Sequence, residues 1–137
     1  MRVQIVTPDN AYFDGEATRV VVPAWDGELG VLPGHAPLIA RLGHGVARVD
    51  AAGGQGKVLV AIYGGFLKVQ DDVVTVLAGG AAKKPDNAKV DDAAKAVEKA
   101  QARLDEVRQK GKTGLAQLPD AEEQVRRARA FAQLVAS

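Results

Sequence analysis

Gly27-Glu28-Leu29-Gly30-Val31-Leu32-Pro33-Gly34-His35-Ala36-Pro37-Leu38 sets three glycines, two prolines and a histidine into twelve residues between apolar runs. Glycine admits positive φ and close backbone approach, whereas proline fixes φ and removes a donor. Such punctuation specifies a shaped loop rather than slack chain. The segments on either side read as short strands. Upstream, Val3 and Ile5 alternate with Arg2 and Gln4, and Thr7-Pro8-Asp9-Asn10 supplies a turn. Arg19-Val20-Val21-Val22 is a β-branched run ending at Pro23, Ala24-Trp25-Asp26-Gly27 reads as a turn, and Leu29–Leu32 follows as an extended segment. Downstream, Val46–Val49 and Lys57–Tyr63 flank the hairpin signal Gly53-Gly54-Gln55-Gly56, while Phe66–Val69 and Val73–Leu77 flank Gln70-Asp71-Asp72. Many short strands with regularly spaced turns predict an antiparallel β-sandwich or flattened barrel.

Beyond this module the period changes. Val90, Ala93, Ala94, Val97, Ala100, Leu104 and Val107 recur at three and four, predicting an amphipathic helix over about 88–110. Gly111-Lys112-Thr113-Gly114 breaks it. Asp120 followed by Glu123, just after Pro119, reads as a capping arrangement for a second helix with Val125, Ala128, Ala132 and Val135 on its apolar side. A short break between two amphipathic helices predicts an antiparallel pair. Composition supports the same division. Residues 1–82 hold 13 of the 15 glycines and carry six basic against eight acidic residues, whereas 83–137 carry twelve basic against nine acidic. The charged, turn-forming run Lys83-Lys84-Pro85-Asp86-Asn87 places the boundary, giving a β-sandwich over 1–84 and an α-helical hairpin over 85–137. Alanine seams bury little apolar area per residue, so the hairpin is expected to be held weakly.

Composition also excludes function classes. The 137 residues, 47% hydrophobic, suffice for a packed core. No apolar run approaches the roughly 20 residues of a spanning helix, and the first eight residues resemble neither a signal nor a transit peptide, so the expectation is a chain that stays where it is made. Absence of cysteine removes disulfides, thiolate zinc sites and thiol nucleophiles, and the single serine, Ser137, leaves no serine nucleophile. A net charge of +1 argues against a nucleic-acid surface. Neither His35 nor His44 has metal-spaced partners; His35 reads as a loop or interface residue and His44 as an exposed turn residue. Asp26 and Glu28 could be paired as acid and base, but with aromatics at 4% no sugar-binding groove accompanies them, and solvated turn charge is the better reading. The paired glycines do not open helices in a phosphate-binding pattern. Nothing here reads as an enzyme, and no metal or cofactor is expected.

The stretch from Gly27 to Leu38 resembles the signature loop of the ε subunit of bacterial and chloroplast F-type ATP synthases. Ile5-Val6-Thr7-Pro8 with Phe13-Asp14-Gly15-Glu16 resembles that family's opening strand and turn. Gly64-Gly65-Phe66-Leu67-Lys68-Val69, then Val73-Val74-Thr75-Val76-Leu77-Ala78, resembles its later strand pair. The likeness is strong over about 3–82 and architectural over 86–136.

The resemblance implies a non-catalytic central-stalk subunit that helps couple proton-driven rotation of the membrane c-ring to ATP synthesis. It implies that the sandwich binds the γ subunit and rests on the c-ring, with Glu28 facing the ring loops and Pro33, Gly34, His35, Ala36 and Pro37 lying near γ and the ring. A loop fixed by proline and glycine loses little entropy on docking. It further implies a tail able to extend into the α/β catalytic head and inhibit ATP hydrolysis, with Arg126, Arg127 and Arg129 as basic groups for acidic surfaces there; a solvated helix face is the alternative. Some members bind ATP on the tail through an (Ile/Leu)-Asp-x-x-Arg-Ala motif. Here Val90-Asp91 leads to Ala94 at the arginine position, and shifting by one places Asp92 before Lys95. Lysine lacks the planar fork of arginine, so this departure argues against ATP as a regulatory ligand, although Arg126 and Arg129 remain as phosphate partners. Location would be peripheral, on the cytoplasmic face of a bacterial membrane, with membrane association only through partner subunits. A carbohydrate-binding sandwich would need exposed aromatics over a groove, and Tyr12, Trp25 and Tyr63 are too scattered. A nucleic-acid adaptor would need a helical half less rich in acid.

Overall fold

The computed structural model describes residues 1–54 and 56–137; Gln55, in the hairpin expected at 53–56, lies outside the described residues. Seven strands precede two helices: β1 (Arg2–Val6), β2 (Ala11–Ala24), β3 (Gly27–Val31), β4 (Leu38–Ala51), β5 (Gly56–Gln70), β6 (Val73–Ala78), β7 (Ala81–Ala82), α1 (Val90–Gln109) and α2 (Leu118–Ala136). A short 3-10 turn, Gly111–Gly114, joins the helices. This is the expected sandwich followed by a helical hairpin, with one departure. β1 runs parallel to β6 while pairing antiparallel with β2. That double pairing closes the order β1-β6-β5-β4-β2 on itself, with β3 flanking β2 and β7 flanking β5.

Three strands are longer than the sequence reading gave. β2, β4 and β5 span 14, 14 and 15 residues because each passes from one layer of the sandwich to the other. β2 pairs with β1 from Ala11 to Glu16, with β4 from Ala17 onward and with β3 from Val20 onward. Pro23, expected to end its strand, instead lies within β2 opposite Glu28. Proline is tolerated there because the ladder between β2 and β4 is already out of register between Val21 and Ala24. The β5–β6 turn places both Asp71 (φ 54) and Asp72 (φ 63) in the left-handed region, the conformation that a two-residue hairpin turn demands.

Inward positions alternate along each strand. Val3, Ile5, Val20, Val22, Val49, Val60, Ile62, Leu67, Val74 and Val76 are wholly buried, and among the described residues no polar side chain is buried with them. The hairpin has a separate small core of Leu104, Val107, Ala121 and Val125. Its stripe departs from expectation at the start of α1, where Val90 is exposed and burial begins at Ala93. The second helix also starts differently. Gln117 holds the N-cap position without a side-chain cap, Pro119 sits in the first turn, and the carboxylate of Asp120 is taken by Arg103 at 3.0 Å. Proline's fixed φ starts the helix here, and the cap expected at Asp120 is not formed.

Gly65 marks the tightest approach between strands. At φ 124, a Cβ there would stand 2.8 Å from Ala78 Cα and meet the Leu77 carbonyl. Gly65→Ala is expected to destabilise the fold by about 1–3 kcal/mol, whereas Gly30→Ala, whose Cβ meets nothing within 4 Å, should be near neutral. Urea unfolding of both variants separates close approach from general glycine entropy.

Candidate functional site

The loop read first from sequence follows β3. Pro33, Gly34, Ala36 and Pro37 are exposed and His35 is half-buried. Gly34 adopts φ 81, and its amide donates to Asp72 Oδ1 at 2.9 Å, so the β5–β6 turn anchors the loop. His35 N donates to Leu32 O at 3.2 Å, and its Nδ1 lies 2.7 Å from Ala36 O. These bonds hold the loop in one shape. Glu28 stands apart on β3, exposed and paired with Arg48 on β4. Asp72 was not singled out in the sequence; only its turn-forming character was legible.

The outer face of the sandwich carries a second feature. Arg41, Phe66 and Leu77 are successive cross-strand partners on β4, β5 and β6, with Ile39 opposite Lys68 in the adjacent row of the same face. Ile39, Phe66 and Leu77 are 74%, 58% and 54% exposed. An apolar cluster left on a sheet face and rimmed by basic residues marks an interaction surface.

α2 lies against another part of the sheet. Leu134 packs on Val46 and Ala61, bordered by Leu59, Tyr63, Ala82 and Phe131. The reading of His44 as an exposed turn residue is overturned: it lies within β4, its side chain 17% exposed, with Nε2 2.7 Å from Glu123 Oε1. Gly43 and Gly45 flank it because β2 passes close by; a Cβ at 45 would stand 2.7 Å from Pro23 Cβ. Arg127 Nε donates to Glu123 Oε2 at 2.9 Å, and its guanidinium lies 5.1 Å from the Tyr63 ring centroid. Burial pushes the Tyr63 hydroxyl up, against the pull of the Arg127 charge. Burial also raises the Glu123 carboxyl, but hydrogen bonds and charges from Arg127 and His44 outweigh it and hold the group below its ordinary value.

The three arginines therefore have different surroundings. Arg127 faces the sandwich, Arg126 pairs with Glu122 and Glu123 on its own helix, and Arg129 donates to Gln101 on α1. Arg126 and Arg129 also line an open cleft of about 760 Å³ between α2 and the sandwich, with Trp25 and Arg41 on the opposite wall. Asp92 and Lys95 are exposed in the first turns of α1. Gln101, the partner of Arg129, lies six residues beyond Lys95, roughly 9 Å further along the helix axis.

No group of three or more His, Cys, Asp or Glu side chains converges among the described residues, and no helix among them is long and apolar enough to cross a membrane. A shaped loop, an exposed apolar sheet face and a laterally docked hairpin are thus the distinguishing surface features of the chain. Residues 1–84 match the family described as ATP synthase, Delta/Epsilon chain, beta-sandwich domain. The chain is 40% identical to the ATP synthase epsilon chain of Nostoc punctiforme over 78% of its length and 77% of the relative. It is 44% identical to that of Alkalihalophilus pseudofirmus over 80% of each. Among solved structures, a chain in the Euglena gracilis mitochondrial ATP synthase OSCP/F1/c-ring assembly matches with TM-score 0.73 and 25% identity, covering 94% of this chain and 77% of that one. The chain belongs to the ATP synthase epsilon chain family and is a non-catalytic stalk subunit of ATP synthase.

Because Glu123 is held below its ordinary value of 4.5, its ionised form stabilises the folded chain, Arg127 acting within α2 and His44 across to the sandwich. That contribution is present above the ordinary value and is lost as pH falls through the lowered one. An NMR titration of the Glu123 carboxyl is expected to give a midpoint below 4.5. Arg127→Gln should raise the midpoint more than His44→Ala does.

Proposed function

We propose that residues 1–84 form the part of this stalk subunit that docks on the rotor, and that residues 85–137 form its regulatory tail. The exposed row of Phe66 and Leu77 beside Ile39 carries the first half of this reading. It leaves on the sandwich surface the apolar cluster that a partner's surface would bury, with Arg41 and Lys68 as a basic rim for an acidic one. In this reading the face meets the γ subunit, Glu28 faces the polar loops of the c-ring, and the loop from Pro33 to Pro37 lies near γ and the ring. A loop already fixed by Asp72 and by its own backbone bonds loses little entropy on docking. The subunit then sits on the cytoplasmic face of a bacterial membrane, held there by its partners.

The second half rests on the two separate apolar cores. The hairpin keeps Leu104, Val107, Ala121 and Val125 packed with one another, and so retains a core of its own when it leaves the sandwich. Extended toward the α/β head, Arg126, Arg127 and Arg129 would present basic groups to acidic surfaces and restrain ATP hydrolysis. Lysine at position 95, in place of the motif's arginine, favours a tail governed by contacts with protein rather than by ATP.

Capture of the tagged chain from a mild-detergent membrane extract of its host tests the reading. Recovery of γ, the catalytic subunits and the c-ring together is the expected result, and recovery without them overturns it. Phe66→Asp with Leu77→Asp should weaken capture of γ by about tenfold or more. A chain ending at Lys84 should still be captured, with ATP hydrolysis by the recovered complex higher than with the full chain.

A further inference from the structure

His44 and Tyr63 face each other in register on β4 and β5, their ring centroids 6.2 Å apart. Glu123 and Arg127 stand one turn apart on α2, joined by a salt bridge within the helix. The two pairs interlock. His44 meets Glu123 at 2.7 Å, and Arg127 lies over the Tyr63 ring. Gly80, whose carbonyl accepts from Tyr63 N, leaves room for the Tyr63 ring: a Cβ there would stand 3.1 Å from the ring and 3.5 Å, an ordinary contact, from Arg127 Nη2.

We propose that these four residues form a releasable clasp that sets how much of the time the hairpin lies docked on the sandwich. As a regulatory element it rests on the reading of residues 85–137 as a mobile tail. The geometry suits release in a way that a buried ion pair does not. Removing one partner of a buried pair strands an uncompensated charge, at a cost that holds the pair shut. Here Glu123 keeps Arg127 and Arg126 on its own helix when α2 departs. Arg127 keeps Glu123, while His44 and Tyr63 return to water. No charge is abandoned. Opening forfeits one hydrogen bond to a charged group, one cation–π contact and the small apolar patch around Leu134. The hairpin core is untouched, so the clasp opens without unfolding either half.

The chain has no native cysteine, which suits a distance measurement on the full chain alone. Spin labels at Lys68→Cys and Lys99→Cys, both exposed positions, report docking by pulsed electron resonance. The otherwise unaltered chain is expected to show a dominant docked distance. His44→Ala and Glu123→Gln should each raise the undocked-to-docked ratio by about tenfold. Because both remove the same contact, the double variant should do no more than the larger single one. Glu122→Gln, on the same helix but outside the clasp, serves as the control and should leave the ratio unchanged. A parent chain already mainly undocked, single variants that keep the docked distance, or effects of His44→Ala and Glu123→Gln that simply add would each overturn the clasp. If His44→Ala does not fold by circular dichroism, His44→Gln takes its place under the same criteria. No other subunit is present, so the clasp stands or falls independently of the capture experiment.

Discussion

The fold depends on β1 pairing along both of its edges. Through Val3 and Ile5 this five-residue strand contributes two wholly buried side chains while its backbone bonds to β2 on one side and β6 on the other. Pairing on both sides leaves β1 no unpaired edge of the kind an open sandwich would expose. It also brings the β5–β6 turn beside the start of the chain, where Arg2 N donates to Asp72 O at 3.1 Å. The side chain of that aspartate then holds Gly34. One closure thus fixes both the hydrophobic core and the shape of a loop nearly forty residues away in sequence.

With the interior filled by valine, leucine and isoleucine, function is left to the outside. Alternation places Val74 and Val76 inward on β6 and therefore Leu77 outward; on β5 it places Leu67 inward and Phe66 outward. The outward apolar residues are not accidents of composition, because three of them line up in adjoining rows of neighbouring strands. Elsewhere on the sheet the exposed surface is covered by α2 through a patch of few side chains and a polar contact. The subunit therefore has one face free for a partner and another covered by its own tail. The difference in how the faces are covered is what the proposed release of the tail draws on.

Much of this was legible in the chain. Period-two alternation identified the strands, and the three-and-four spacing identified both helices to within about two residues at most ends. The ordered residues from Gly27 to Leu38, with the Gly64–Val69 and Val73–Ala78 segments, pointed to the family. Two local expectations failed for local reasons. Pro23 did not end its strand because the ladder there was already interrupted, and Asp120 did not cap α2 because Arg103 claimed its carboxylate. The expectation for His44 failed for a different reason. Between two glycines a histidine looks like part of a turn, but those glycines accommodate the passage of β2 rather than a reversal of the chain.

The sequence by itself determined the class of module, the order of its elements, the boundary in composition near residue 84 and the absence of thiol or serine chemistry. All of these follow from residue type, local periodicity and short-range turn preference. Only the tertiary structure decided that Asp72 holds Gly34, that Ile39, Phe66 and Leu77 share an outer face, and that His44 and Tyr63 meet Glu123 and Arg127. Each of those pairings joins residues far apart in the chain. Their meeting is set by strand register and by where α2 comes to rest, and neither leaves a periodic mark on the sequence.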